Sequence, residues 1–446
     1  MIITNYSKIA STPLKRNALN ILLAGVESVM PQSAMPKKVA FNNGVLRICG
    51  GGFDISRGNL YVIGFGKASA SMANALEKII PKKYITAGIV NCNTSNVRTG
   101  KIKINIASHP VPDESGVKGI KRMLEIAKKA GKDDTIIFLI SGGGSALLPD
   151  PAEGITLKDL RRMTELMLKS GAKSYELNNL RKHTSMLKGG NFARILQPAR
   201  VVSLILSDLI NPNDATASGP TYPDNSTFSQ SYKILRKYML LEKMPKSIVA
   251  HIKKGMSGKM PETVKPNEKF LENVHNYIIA DYKTALKAMG EKASELGFDV
   301  EILPKYTEGE VKNAAAKMSV LFRQRQMASN NKFAIIYSSE NSVTVKGKGR
   351  GGRNQEYVAY LIEKIKNFRN CVVSSLGSDG IDFLPGVGGA IADNTTYSKA
   401  KKIGLDIKHY LNHNNSYELH KKLGTLVLMK TTNTNVGDIN VYLQAK

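Results

Sequence analysis

The sequence predicts an α/β protein built on a mostly parallel sheet with helices on both faces. Apolar, β-branched runs of strand length alternate with stretches of helical periodicity along most of the chain, the pattern of successive strand–helix units. Five of the runs end in tips rich in Gly, Ser, Lys and Asp, where an open parallel sheet binds its ligands. Length sets the scale: 446 residues, 42% of them hydrophobic, fill two or three cores rather than one.

The elements follow in order. Thr12-Pro13 places an N-cap before a first helical residue, and Ala18, Ile21, Leu22 and Val26 recur at helical spacing. "NLYVIGFG" (59–66) reads as a strand and leads into a helix from Lys67 to Ile80. "TAGIVN" (86–91) and "KINIAS" (103–108) read as strands before a helix over 114–130. "DTIIFLIS" (134–141) is a buried strand, after which Thr156 caps "LKDLRRMTELMLKS". "ARVVSLILSD" (199–208) is another. Residues 231–270 lack strand signals and hold ten Lys+Arg against three Asp+Glu. They include the Gly/Pro-rich "GMSGKMPETVKPNEKF" and read as the connection between domains. Alternation resumes with "HNYIIA", a helix over 282–296, "FDVEIL", a helix over 309–327, "FAIIYSSE" and "CVVSSLGSDG". The expected organisation is a first domain over 1–245, a linker over 246–270 and a second α/β domain over 271–446, whose last residues can return to the first.

Charge is the unusual feature. Lys+Arg number 64 against 36 Asp+Glu, a net +28. This favours anionic partners, whether nucleic acid, membrane surface or small phosphates, and equally fits a solvated basic surface, since the lysines are spread out. Cys49, Cys92 and Cys371 lie far apart with no C-x-x-C spacing, which argues against a zinc knuckle or disulfide framework and for a cytoplasmic protein. The first 32 residues lack a signal-peptide layout, and no apolar run reaches membrane-spanning length.

The tips carry the chemistry. "ISGGGSALL" (140–148) lacks the final Gly of a nucleophile elbow, having Leu147 there. Two readings remain. Gly142, Gly143 and Gly144 turn backbone N–H groups toward an anion, helped by the Ser141 and Ser145 hydroxyls, or they form a tight structural turn. "VIGFGKAS" (62–69) has Gly64 and Gly66 but Ser69 in the third glycine's place of a dinucleotide fingerprint, and "IVNCNT" follows with no ribose-binding acid. Lys67 stands at a helix start, where the helix dipole favours negative charge; an anionic ligand accounts for it better. In "VKGKGRGGRNQEYVAYLI" (345–362), Gly347, Gly349, Gly351 and Gly352 alternate with Lys346, Lys348, Arg350 and Arg353 before a helix. This suits a polyphosphate; an RGG-like RNA segment, its rival, usually repeats. Asp208, Asp379, Asp382 and Asp393 follow or flank strand ends, as magnesium ligands or as caps. His109, between Ser and Pro, reads as a cap or turn residue.

These stretches, with "SHPVPDESG", "SGGGSALLPDPAEGITL", "NNLRKHTSMLKGG", "LSDLINPNDATASGPT", "GRGGRNQE" and "LGSDGIDFLPGVGGAIAD", resemble the glycerate kinases of the MOFRL type, in family order over nearly the whole chain. The resemblance implies ATP-dependent phosphorylation of D-glycerate with Mg²⁺, usually at the 2-hydroxyl. It implies a Rossmann-like N-terminal domain, a second α/β domain and a site in the cleft between them. The family's lysine falls on Lys67 and its arginine on Arg353. On this reading Gly64, Gly66, Ser141 to Ser145, Lys348, Gly351 and Gly352 hold ATP, and Asp208 or Asp379 holds Mg²⁺ or orients the glycerate hydroxyl. Arg181 or Lys188 takes the carboxylate, or belongs to a solvated helix face. The tail "MKTTNTNVGDIN" (429–440) lacks the Gly-Pro expected before Thr-x-Thr-Asn, leaving the roles of Asn435 and Asp438 open. Two rivals are a hydroxypyruvate reductase, disfavoured by the missing ribose carboxylate, and a nucleic-acid-binding protein, disfavoured by 7% aromatics and no Trp.

Overall fold

The structure is a computed structural model describing residues 1–94, 96–209, 216–303, 307–329 and 331–445, with Ser145 described by its backbone. The chain forms two compact units. One is Pro31–Ile279; the other joins Met1–Met30 to Ala280–Lys446.

The first unit opens on an antiparallel meander, β1 (Val39–Asn42), β2 (Val45–Ile48) and β3 (Gly51–Asp54). Its main sheet contains β4 (Leu60–Phe65), β5 (Ile85–Cys92), β6 (Ile102–Ile106), β7 (Thr135–Ser141), β8 (Arg200–Leu206) and β9 (Val274–Ala280). Among the described residues their order is β6-β5-β4-β7-β8-β9, and β6 through β8 pair in parallel. Counted from β4 this is the order 3-2-1-4-5-6 of the Rossmann fold, with its switch point between β4 and β7. Both strands are buried along their whole length, so their sequences show no polar alternation.

The helices Leu157–Lys169, Ser174–His183, Phe228–Lys237 and Lys246–Met256 form a second core in this unit around Met163, Leu180, Phe228, Leu235, Ile248 and Ile252. This corrects the expected linker over 246–270. Ile248 and Ile252, spaced one turn apart, are fully buried, and the whole stretch belongs to the first unit. Its basic charge hid a short amphipathic helix.

The second unit holds β10 (Asp299–Ile302), β11 (Thr307–Glu310), β12 (Phe333–Ser342), β13 (Cys371–Gly377), β14 (Val387–Asp393), β15 (Leu426–Leu428) and β16 (Asp438–Gln444). The order is β10-β12-β16-β13-β14-β15, with β11 beside β12. β10 and β11 run parallel to β12; the other pairs are antiparallel. The tail thus enters the middle of its own sheet as β16, not the first unit. The first thirty residues also join this unit, against the expected 1–245 boundary. Thr12 Oγ1 accepts from Lys15 N–H at 3.2 Å and caps the helix Pro13–Val29. That helix packs on Tyr282–Glu295 so closely that a Cβ on Gly25 would lie 2.6 Å from Met289 Cγ. Lys15 pairs with Asp393 at 2.7 Å, and Thr434 Oγ1 donates to Val29 O at 2.7 Å.

Candidate active site

In the first unit the polar tips meet at the switch point. β4 and β7 run in register to Phe65 and Ile140, and their tips are then tied together. Lys67 N–H donates to Gly142 O at 2.9 Å, and Ala68 N–H to Ser141 Oγ at 3.0 Å. Ser141 is fully buried, so its hydroxyl joins the two strands rather than facing a ligand. The glycines divide by role. Gly64 lies inside β4, where any side chain would overlap Leu139 O. Gly66 has φ +121° and a Cβ there would overlap Ser141 Oγ. Both serve strand contact and chain reversal. Gly142 and Gly144 are buried, Gly144 against Phe65 and Ala217, while Gly143 is part-exposed with φ +85°. A Cβ on Gly143 would lie 3.1 Å from the His109 ring and 3.2 Å from Lys67 Cγ. Lys67, Gly143 and His109 therefore share one corner. From sequence His109 reads as a cap or turn residue; its nearness to Lys67 depends on β6 and β4 belonging to one sheet.

Beyond the short helix Gly144–Leu147, the chain reaches a buried charged group. Lys188 Nζ donates to Leu148 O at 2.7 Å, and Arg181 Nη1 to Asn178 Oδ1 at 3.3 Å. Burial pushes the Arg181 guanidinium down to about 10. Burial also pushes the Lys188 ammonium down, opposed by Asp150 and assisted by Arg181. Asp150 is pushed up to about 6 by burial, against the pull of Lys188, and its buried Oδ2 has no hydrogen-bond partner. The buried Lys188 ammonium thus faces the Asp150 carboxylate, and the half-buried Arg181 guanidinium lies close enough to act on that ammonium. Sequence gives no signal for Asp150, because its partner Lys188 lies 38 residues further on. Asp208 is half-buried two residues past Leu206, which pairs with Ser141.

In the second unit the glycine loop before Arg353 differs from expectation. Gly347 N–H and Lys346 N–H donate to Asn414 Oδ1, Gly349 N–H to His413 O, and Arg350 N–H to Asn415 Oδ1, all within 3.1 Å. Side chains at Gly347, Gly349 and Gly351 would overlap the 413–416 segment. These glycines let two stretches of backbone touch, so the amides of 346, 347, 349 and 350 are already engaged. Lys348 is exposed. The helix Arg353–Lys364 starts against Asp382, whose Oδ1 accepts from Asn354 N–H at 3.0 Å and whose Oδ2 accepts from Gln355 N–H at 2.8 Å. A Cβ on Gly352 would overlap the same carboxylate. The helix terminus assigned to phosphate therefore holds a buried aspartate. Burial pushes Asp382 up to about 6 despite those donors.

Arg353 projects from this start. Its Nε lies 2.5 Å from Asp438 Oδ2 and its Nη2 donates to Asp438 Oδ1 at 3.0 Å. Its side chain remains 43% exposed, against 3% for Asp438. Asp438, Asp382 and Glu340 together hold the guanidinium charged, Asp438 most strongly. Burial pushes the Asp438 carboxyl up and Arg353 pulls it back. Asp379 stands at the tip of β13, where its Oδ1 accepts from Ile381 N–H at 3.0 Å. Among the described residues no group of three His, Cys, Asp or Glu side chains is arranged to hold a metal. Asp379 and Asp208 supply hard carboxylate oxygens, of the kind that Mg²⁺ takes one or two at a time beside phosphate and water. No described helix is long and apolar enough to cross a membrane.

Residues 17–253 match a domain of unknown function, DUF4147, and residues 333–438 match the MOFRL family. The glycerate 2-kinase of Pyrococcus horikoshii is 36% identical over 96% of this chain and 97% of its own. A putative hydroxypyruvate reductase of Agrobacterium vitis is 33% identical over 87% of each chain. The crystal structure of glycerate kinase from Thermotoga maritima superimposes with a TM-score of 0.82 at 32% identity, covering 97% of this chain and 99% of that one. The chain belongs to the family that combines a DUF4147 domain with a MOFRL domain.

Proposed function

We propose that the protein is a glycerate kinase that transfers the γ-phosphoryl group of ATP to D-glycerate, at the 2-hydroxyl. The observation that carries this is the group of charges beyond β7, where the buried Lys188 ammonium lies near both Asp150 and the half-buried Arg181 guanidinium. A small carboxylate suits two cations so placed, since burial strengthens its attraction to them. The names of the relatives from Pyrococcus and Thermotoga, glycerate 2-kinase and glycerate kinase, support the same substrate.

Phosphoryl transfer needs positioning and neutralisation of charge more than covalent chemistry. Arg181 and Lys188 bind the glycerate carboxylate and so orient its hydroxyls. Lys67, beside the part-exposed Gly143, supplies a point charge to the phosphates. Gly143 lets the phosphates approach the backbone, and Ser145 and Lys348 bind the nucleotide. Arg353 offers a planar donor fork to the transferring group, its far edge fixed by Asp438. Asp208 accepts the proton of the attacking hydroxyl. A magnesium ion held by Asp379 or Asp208 would neutralise triphosphate charge when bound.

The reductase named among the relatives needs a nicotinamide cofactor. β5 ends in Asn91-Cys92, followed by Asn93-Thr94, with no carboxylate where that fold holds the ribose. ADP release with glycerate, beside NADH oxidation with hydroxypyruvate, separates the two. Glycerate-dependent ADP release and a 2-phosphoglycerate signal in the ³¹P spectrum are expected; NADH oxidation without ADP release would overturn the proposal.

A further inference from the structure

We propose that Asp438 is a positioning residue for phosphoryl transfer, acting through Arg353 with Asp382 as its support. This rests on the reading of Arg353 given above. Asp438 begins β16, where its backbone pairs opposite Gly377 of β13 and Ser339 of β12. It is therefore anchored on both sides by the sheet, and a carboxylate so placed has little freedom. It contacts Arg353 through Nε and Nη2, one edge of the guanidinium, which selects one orientation for the rest of the fork.

Asp382 fixes the other end of the lever. Besides accepting from Asn354 and Gln355 N–H, it accepts from the Asn354 and Gln355 side-chain amides at 3.2 and 2.9 Å. Asn354 in turn accepts from the Ser375 hydroxyl of β13. His420 Nε2 lies 2.8 Å from Gln355 O and its Nδ1 lies 2.7 Å from Thr425 Oγ1. Burial pushes this imidazole down to about 4. The neutral ring therefore donates from Nε2 to Gln355 O and accepts at Nδ1. The residues after Arg353 are thus bound at backbone and side chain, while Arg353 itself keeps 43% of its side chain exposed. A rigid base carrying a half-exposed cation is the arrangement that lets preorganised charge act without reorganisation.

The test is a double-mutant cycle on the full chain, read by kcat and KM for ATP and glycerate. Asp438→Asn is expected to lower kcat roughly 10- to 100-fold with KM changed less than about threefold. In an Arg353→Ala background the same substitution is expected to change kcat less than about twofold, because its target is gone. Asp438→Glu keeps the charge but moves it by a methylene. Should the asparagine variant not fold, this variant is expected to repeat the pattern with about a tenfold loss. Equal losses in both backgrounds, or unchanged kcat in both Asp438 variants, would overturn the inference. A normal kcat in Arg353→Ala alone would instead remove Arg353 from the reaction, a failure of the underlying reading.

Discussion

Lys67 and Arg353 are both cations at element ends, but they are held differently. Lys67 is set by its backbone bond to Gly142 O, whereas Arg353 is set by a buried carboxylate. Lys67→Met should therefore lower kcat by about 10² to 10³ while the melting temperature stays within a few degrees; steady-state kinetics beside a melting curve decides this, and near-normal turnover would dismiss Lys67. Arg181→Ala should raise KM for glycerate by roughly tenfold or more and leave KM for ATP unchanged. Glu356 offers a pH test. Burial first, then Glu310 and Asp382, push its carboxyl up to about 7, against the Asn414 amide. The folded state holds the proton more tightly than the unfolded one. The penalty for ionising it is absent below about pH 4.5, grows toward 7 and is complete above. Glu356→Gln should accordingly stabilise the protein by ~1–3 kcal/mol at pH 8 and not at pH 4, measured by denaturant melts at both. The charges of the RGGRNQE run were legible from sequence. Their partners were not, because Asp382 and Asp438 stand far along the chain and only the sheet brings them back.

At the scale of elements, the central strands of the first unit were readable because β4, β7 and β8 are long apolar runs buried on both faces. β14 was obscured by Gly388 and Gly389, and β1 to β3 are only four residues each. The glycine loop 347–352 was read as a phosphate cradle because glycine permits close approach to anything; the approaching atoms are mostly the protein's own. That has a direct consequence for the helix Arg353–Lys364. Gly352→Ala places a methyl on the Asp382 carboxylate, disturbing the capped first turn. Its expected effect is a loss of ~2–4 kcal/mol in stability together with reduced kcat. A melting temperature equal to the parent's would show that Asp382 moves aside freely.

For the whole molecule, the boundaries between units were the least legible feature. The helix Pro13–Val29 has an ordinary amphipathic sequence, and nothing in it says that its partner is Tyr282–Glu295. Residues 280–446 alone are expected not to fold, since they would expose the surface that Leu19, Ile21, Leu22 and Val26 help to bury; adding residues 1–30 through a short linker should restore a cooperative melt followed by circular dichroism. A cooperative transition in 280–446 alone would show that the first helix is an accessory.

The pairing of Pro13–Val29 with Tyr282–Glu295 also separates the order of synthesis from the order of assembly. About 250 residues lie between the two helices, which a ribosome adds in roughly 10 to 50 seconds. Through that interval the nascent chain carries an uncovered apolar stripe while the entire Rossmann unit is being made. Factors that bind emerging hydrophobic segments therefore meet this helix long before its own partner does.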